Sequence, residues 1–438
     1  MSTPDDKLTL DISKREGTIN LGAGPSSLPT SVLLEAAQGI LDFSSTGMGL
    51  TELSHRSGTF KKVIESAEED LRKLLDIPEN YAVLFMQGGG TEQFSGTALN
   101  LLASHAIAHP DYVQQHNGQG PALDYAVSGS WSAKALKESK RLGGNAKAVF
   151  DSRKLEGSDG KFGIIPPTST WQLSGVDGSG KVASKDELPA MLYYCDNETV
   201  DGVEYTPAFP IDQLPKEYAQ NVPIVADCSS NILSRKIDIA AHSIVFFGAQ
   251  KNVGPAGVTI VIVKKDLIAR DPDEGVSNGG PRIPTTLAYK HHADANSLYN
   301  TPPMFAIYAS GLVFADLLKS KGGVVGASQR ADMKSRAVYD VISKSQGVFA
   351  ATVKDPASRS RMNICFRILA RDGKTPNNEL EERFIKRCRE KGIEQVKGHR
   401  SVGGIRTSLY NAVSPEQTLV LVDVMKAFAK EVQDERRA

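Results

Sequence analysis

The sequence predicts an α/β protein, with a mostly parallel, helix-flanked sheet in a large domain and a small α+β domain at the C-terminus. Two observations carry this. Short apolar runs alternate with helix-length patterns through the first two thirds of the chain, which is the signature of a helix-covered parallel sheet. After "NTPPMF" (300–305) the texture changes to helices and strands that make a second compact unit. The division expected is a large domain over 20–325 and a small one over 326–438, with the N-terminal segment 1–19 packing on the latter. At 438 residues, a prior of about two or three domains agrees with this.

The elements follow in order. "YAVLFM" (81–86) is a strand, leading through a glycine run into the helical "TEQFSGTALNLLA". "DYAVSG" (124–129) is a strand followed by the helix "SWSAKALKESKRLG", closed by Gly143 just past its end. "MLYYC" (191–195), "VPIVADC" (222–228), "SIVFFG" (243–248) and "VTIVIV" (258–263) complete the strand set. The Gly-, Ser- and Pro-rich stretches 104–121 and 152–187 read as long, mobile surface loops with room for a hairpin. Beyond them come a helix begun by prolines (303–320) and a second helix (326–345). Strands 348–354 and 362–370, helix 378–391, strand 404–410 and helix 415–433 end the chain.

Composition narrows the function. Lys plus Arg equals Asp plus Glu at 51 each, which argues against a nucleic-acid or membrane-surface partner. The polar, mixed-charge "MSTPDDKLTLDISKREG" resembles neither a secretory signal nor a transit peptide, and no apolar run reaches the ~18 residues of a membrane span. Cys195, Cys228, Cys365 and Cys388 lie far apart without metal-like pairing, as free thiols of a reducing compartment do. These features predict a cytoplasmic globular protein with no metal site.

Ligands of open α/β sheets bind at the carboxyl ends of strands, and four such positions here carry unusual content. "QGGGTEQF" (87–94) offers backbone amides at a helix N-terminus, an anion cradle, although a glycine run between strand and helix is more often simply a tight turn. Trp131 stands after the next strand, where it either fills core or stacks on a flat ring. Asp227 ends "VPIVAD" and either caps the following turn or faces a cation. Lys251 sits in "FFGAQKNVGPAGVTIVIV" between two apolar runs, where a charged amine is costly unless something uses it. Together the four meet the needs of pyridoxal phosphate: a phosphate cradle, a ring stacker, a carboxylate for the pyridine nitrogen and an amine for the aldehyde. The residues alone leave equal room for a structural Lys251–Asp227 ion pair.

A resemblance then bears on that choice. "SHRSGTF" (54–60), "GSWSAKALKE" (129–138), "NETVDG" (197–202), "ADCSSNILSR" (226–235), "GAQKNVGPAG" (248–257), "NTPP" (300–303), "SRMN" (360–363) and "KGHRSVGGIRTSLYNA" (397–412) stand in order from "INLGAGPSSLP" (19–29) to the C-terminal helix. They resemble the phosphoserine aminotransferases. The resemblance implies a fold-type I pyridoxal-phosphate transaminase, homodimeric with shared active sites. It would convert 3-phosphohydroxypyruvate and L-glutamate to O-phospho-L-serine and 2-oxoglutarate in serine biosynthesis.

It further implies that Lys251 forms the Schiff base, Asp227 pairs with the pyridinium, Trp131 stacks on the ring and Thr199 lies beside it. Gly90, Thr91 and Gln250 would hold the cofactor phosphate, joined by Asn300 and Thr301 of the partner subunit. Bacterial relatives often carry arginine at the Thr91 position, so the grip here leans on backbone amides and a hydroxyl. Both substrates carry an α-carboxylate and a distal anion, and arginine forks bind both groups well. Arg406 is expected to take the α-carboxylate. Arg400, His399, His55 and Arg56 are expected at the distal phosphate, the last two donated across the dimer. Any one of these arginines alone would read as a solvated surface residue. Two rivals are another enzyme of the same fold, either a cysteine desulfurase, which needs a nucleophilic thiol on a mobile loop, or a different aminotransferase, and a non-catalytic phosphate-binding or scaffold protein that has kept the fold.

Overall fold

The computed structural model describes residues 12–320 and 322–437. Its centre is a seven-stranded sheet of β1 (Tyr81–Met86), β2 (Ala122–Val127), β3 (Asn145–Asp151), β4 (Met191–Cys195), β5 (Ile224–Asp227), β6 (Ile244–Gly248) and β7 (Thr259–Lys264). The spatial order is β1-β7-β6-β5-β4-β2-β3. From β6 to β3 every pairing is parallel, and β7 alone runs antiparallel to both of its neighbours. The central strands are buried on both faces and read as unbroken apolar runs, as a helix-covered sheet requires.

The direction of β7 explains where the lysine sits. Antiparallel neighbours need no crossover helix, so β6 returns to β7 through the short connection 249–258. Thr259 pairs with Gly248, and the Ala249 amide donates to the Val258 carbonyl at 3.1 Å. Lys251 is thereby fixed in a tight turn at the carboxyl end of β6.

Helices cover both faces. The helices of this part are α1 (Thr30–Leu41), α2 (Gly58–Leu75), α3 (Gly89–Ala108), α4 (Ser130–Arg141) and α5 (Met304–Ser320). In α2, Ser57 caps the first turn by accepting from the Phe60 amide. Its apolar stripe Phe60, Ile64, Ala67, Leu71 and Leu74 is buried in the same core as Met304, Ile307 and Phe314 of α5. Gly143 follows α4 with φ +85°, the left-handed stop expected there.

A second core lies in the C-terminal third, among α6 (Gly323–Lys344), α7 (Asn378–Glu390), α8 (Pro415–Arg437) and the three-stranded sheet of β8 (Phe349–Ala351), β9 (Asn363–Ile368) and β10 (Ile405–Ser408). Ile19 and Leu21 join that core, and Ile19–Asn20 pairs in parallel with Ile393–Glu394. Residues 1–11 of the segment expected to pack there lie outside the described residues. Lys334 of α6 is buried and spends its three donors on the carbonyls of Leu409, Tyr410 and Val413, fixing the segment that follows β10.

Two expectations need correction. The stretch 104–121 is not all loop, because α3 runs on to Ala108 and a helical turn forms at Tyr112–Gln115. Buried Ala103 and Ala106 continue the helix face, His109 stacks on His105, His105 meets Tyr112 edge to face, and His116 stacks on Tyr112. Strand β3 was not expected at all, since it is an edge strand whose apolar pattern is broken by exposed Lys147. In 152–187 the hairpin exists as a single antiparallel bridge, Val176 to Val182, among short 3-10 turns. No helix among the described residues is long and apolar enough to cross a membrane.

Candidate active site

Strands β1, β2, β4, β5 and β6 all point the same way, so their carboxyl ends open on one edge of the sheet. A cavity of about 230 Å³ lies there. Of the residues singled out from sequence, Gly90, Thr91, Trp131, Thr199, Asp227, Gln250, Lys251, His399 and Arg406 line it. Asn300, Thr301, His55, Arg56 and Arg400 are not part of its lining. Thr301 and His55 meet each other instead, Oγ1 to Nδ1 at 3.4 Å, and Gln87 Nε2 donates to the Thr301 carbonyl at 3.0 Å.

Lys251 is buried and its Nζ donates to Thr199 Oγ1 at 2.7 Å. No ion pair joins it to Asp227, so the structural-pair alternative is not what holds it. Burial pulls the ammonium below the usual lysine range, against the opposing charge of Asp227. Weakening the amine's hold on its proton favours the neutral, nucleophilic form.

Asp227, at the end of β5, does cap its turn. Oδ1 accepts from the Ser229 amide at 3.0 Å and from Ser229 Oγ at 2.6 Å. Among the described residues its other oxygen has only the Tyr193 hydroxyl, at 3.4 Å. Burial pushes this carboxyl above its ordinary range, while Ser229, Lys251 and Tyr193 pull it back. A buried carboxylate with one oxygen nearly free calls for a cationic partner.

At the glycine run, Gly88 caps α3 with φ +87° and Gly89 follows at φ +72°, a left-handed pair that side-chain-bearing residues resist. The turn delivers Gly90 and Thr91 in the first turn of α3, where unpaired amides and the helix dipole favour an anion.

The loop "NETVDG" does more than its sequence suggests. It is a tight hairpin in which Asn197–Glu198 pairs with Val203–Glu204. Glu198 is fully buried and accepts from the Trp131 amide (2.7 Å), the Ser132 amide (2.9 Å) and Ser132 Oγ (2.6 Å). Asp201 accepts from the Ser130 amide at 2.7 Å. Two carboxylates from one loop therefore cap α4, the helix that carries Trp131, while Thr199 between them holds Lys251. A Cβ at Gly129 would stand 2.2 Å from Glu198 Cγ, so only glycine admits this approach.

The same loop is tied to the C-terminal unit. Asn197 donates to Asn363 Oδ1 at 2.8 Å, and Asn363 donates to Ser408 Oγ and to the Tyr410 hydroxyl. Tyr410 in turn donates to the Ala23 carbonyl at 3.0 Å, and Arg406 Nη1 of β10 donates to the Thr199 carbonyl at 3.2 Å. Sequence reasoning missed Glu198, Asp201 and this network, although every member sits in a quoted motif.

Burial, with the nearby Asp201 carboxylate, pushes Glu198 up to about 8 from an ordinary 4.5. A folded-state value above the unfolded one favours the protonated, folded form at low pH, and that contribution fades as pH rises from about 4.5 through about 8. Glu198→Gln removes the ionisation. The expected outcome is a melting-temperature difference, variant minus wild type, that moves in the variant's favour across that interval. A constant difference counts against it.

The fold and the cavity together define a class-V aminotransferase, and the model of that family (aminotransferase class-V) matches residues 18–113 and 167–421. The phosphoserine aminotransferase of Drosophila melanogaster is 41% identical over 412 residues, covering 94% of this chain and 98% of its own. Among solved structures, the phosphoserine aminotransferase of Bacillus circulans subsp. alkalophilus aligns with a TM-score of 0.77 at 36% identity, over 94% of this chain and 99% of that one. The pyridoxal-phosphate-bound phosphoserine aminotransferase of Trichomonas vaginalis aligns with a TM-score of 0.74 at 32% identity, over 93% and 99%. The chain belongs to the phosphoserine aminotransferase family.

Pyridoxal phosphate is the cofactor of this class, and the residues present fit it. The cavity holds a depressed-pKa lysine, a buried carboxylate with one oxygen nearly free, and a helix N-terminus. It also holds Trp131, whose buried Nε1 has no hydrogen-bond partner among the described residues. Cys195 lines the cavity too, but burial pushes its thiol well above the usual range, so it is no nucleophile. That speaks against the desulfurase rival.

Proposed function

We propose that this cavity transfers the amino group of L-glutamate to 3-phosphohydroxypyruvate, giving 2-oxoglutarate and O-phospho-L-serine in serine biosynthesis. The observation that carries the reading is Lys251, a buried amine held by Thr199 at the rim of β6, one strand from Asp227. When bound, the cofactor supplies an electron-withdrawing ring and the carbonyl that takes up the amino group. Lys251 would hold it covalently through Nζ and, once released, move the proton at the substrate α-carbon. Asp227 would keep the ring nitrogen protonated, Trp131 would stack on the ring, and Thr199 would keep Nζ in line. Gly90, Thr91 and Gln250 would take the cofactor phosphate, with Asn300 and Thr301 of the partner subunit.

Arg406 would bind the α-carboxylate. Arg400 and His399, with His55 and Arg56 of the partner subunit, would bind the distal phosphate. The split is supported by position: Arg406 is half-buried and reaches Thr199, whereas Arg400 is exposed and outside the lining. Sharing between subunits presupposes a homodimer. Leu34 and Leu41, one heptad apart on α1, and Met48 beyond it are exposed at 41%, 62% and 46%, an apolar surface close in sequence to His55 and Arg56. The chain is further read as a cytoplasmic protein with a large domain over 20–325 and a small one over 326–438. The separate C-terminal core supports that division.

Arg400→Ala should penalise 3-phosphohydroxypyruvate more than an unphosphorylated keto acid, since only the former has a phosphate to lose. Arg406→Ala should penalise both alike. Each loss amounts to about tenfold to a few hundredfold in kcat/KM, the worth of one charge-assisted pair. The check is specificity constants for two variants and two keto acids at fixed glutamate. An even response to Arg400→Ala would refute the division of the anion site.

A further inference from the structure

A second cavity, about 590 Å³, lies beside the first and shares Val200, His399 and Arg406 with it. Its outer wall is the run 157–164, within the stretch 114–166 that separates the two parts matched by the family model. The wall is well tied. Ser152 Oγ donates to the Ile164 carbonyl at 2.6 Å and accepts from its amide at 3.2 Å, closing the base of the loop. Ser158 Oγ donates to the Arg153 carbonyl at 2.7 Å, and the Arg153 guanidinium lies 4.8 Å from the centre of the Phe162 ring. Across the opening, Lys354 of the C-terminal unit pairs with Asp159 at 3.5 Å.

The lining is rich in positive charge. Arg153, Lys161, Lys354, Arg367 and Arg406 line the chamber with His399, against only Asp159 and Asp201. The acids are engaged: Asp159 by Lys354, Asp201 by Ser130. Arg153 and Arg367 are held by Asp151 and Glu381. Lys161, on the outer wall, is exposed and makes no ion pair or side-chain hydrogen bond with the described residues. A concave chamber with spare cationic donors concentrates small anions.

We propose that this chamber is a second anion site, in which Lys161 holds small acids with two anionic groups before they pass to the catalytic cavity. Those groups are a phosphate and a carboxylate, or two carboxylates. Arg406, common to both cavities, receives the carboxylate end. The inference rests on the substrate reading given above.

The test uses the holoenzyme, with Lys161→Ala and Lys161→Glu, because that side chain is exposed and carries no contact the fold depends on. Inorganic phosphate is titrated at low ionic strength while its phosphorus NMR line width is followed. Initial rates with the phosphorylated keto acid are measured in the same buffer. Line broadening should decrease from wild type to alanine to glutamate. The value of kcat/KM should fall about threefold and about tenfold, with kcat unchanged. The losses should shrink above ~0.1 M salt, where screening acts within about 10 Å. Broadening that is the same in all three proteins overturns the site, whatever the rates. A wild type that binds phosphate through Lys161 yet fails to transaminate upholds the site and removes the substrate assignment instead.

Discussion

Lys251→Ala is expected to abolish transamination and to leave the fold intact. Among the described residues Lys251 is the single lysine lining the cavity, so no neighbour can take over. The substitution removes the covalent anchor and the proton carrier together, and a positioned general acid–base alone accounts for about 10²–10⁴-fold. Stability should not suffer, because the amine is a desolvated group whose burial opposes its charge. Thr199 Oγ1 loses one partner, a change worth about 1 kcal/mol. The check is turnover of the purified variant beside its circular dichroism. Some non-covalent cofactor should be retained through the phosphate cradle and Trp131. Turnover comparable to wild type would refute the assignment of the lysine.

Asp227→Asn is expected to weaken both cofactor retention and rate. The shape of the site should survive, because the amide oxygen can still accept from Ser229. What is lost is negative charge on the nearly free oxygen that Tyr193 only grazes. Breaking a buried charge pair costs about 3–5 kcal/mol. Each ~1.4 kcal/mol is tenfold, so the rate should fall roughly 10²–10⁴-fold if the whole penalty reaches the transition state. The measurement is kcat in the variant fully loaded with cofactor. A rate equal to wild type there would make Asp227 a turn cap and nothing more.

How much of this was legible beforehand varies with the kind of signal. Lys251, Asp227 and Trp131 could be singled out because each breaks a local pattern: a charge or a large ring at the end of an apolar strand. The strands themselves were legible where burial on both faces makes an unbroken run. Strand β3 was not, because at the sheet edge its burial is partial and Lys147 interrupts the pattern. The roles of Glu198 and Asp201 were hidden for a different reason. Their partners lie at the start of α4, and Glu198 meets the Trp131 amide 67 residues away along the chain. An acid three residues past its strand end looks like a solvated loop residue until the fold brings a helix N-terminus to it. The stretch 104–121 misled through composition, since its glycines and histidines mask a helix end whose inner face is alanine.

The most direct measurement pairs L-glutamate with 3-phosphohydroxypyruvate and, separately, with hydroxypyruvate, and follows 2-oxoglutarate formation by a coupled assay. The phosphate is the one group that distinguishes the two acceptors. Phosphorylation should therefore raise kcat/KM by about tenfold or more, the worth of at least one charge-assisted pair, with O-phospho-L-serine as the product. Equal specificity constants, or a preference for the unphosphorylated acid, would contradict a phosphate-reading site and leave only an aminotransferase of another substrate.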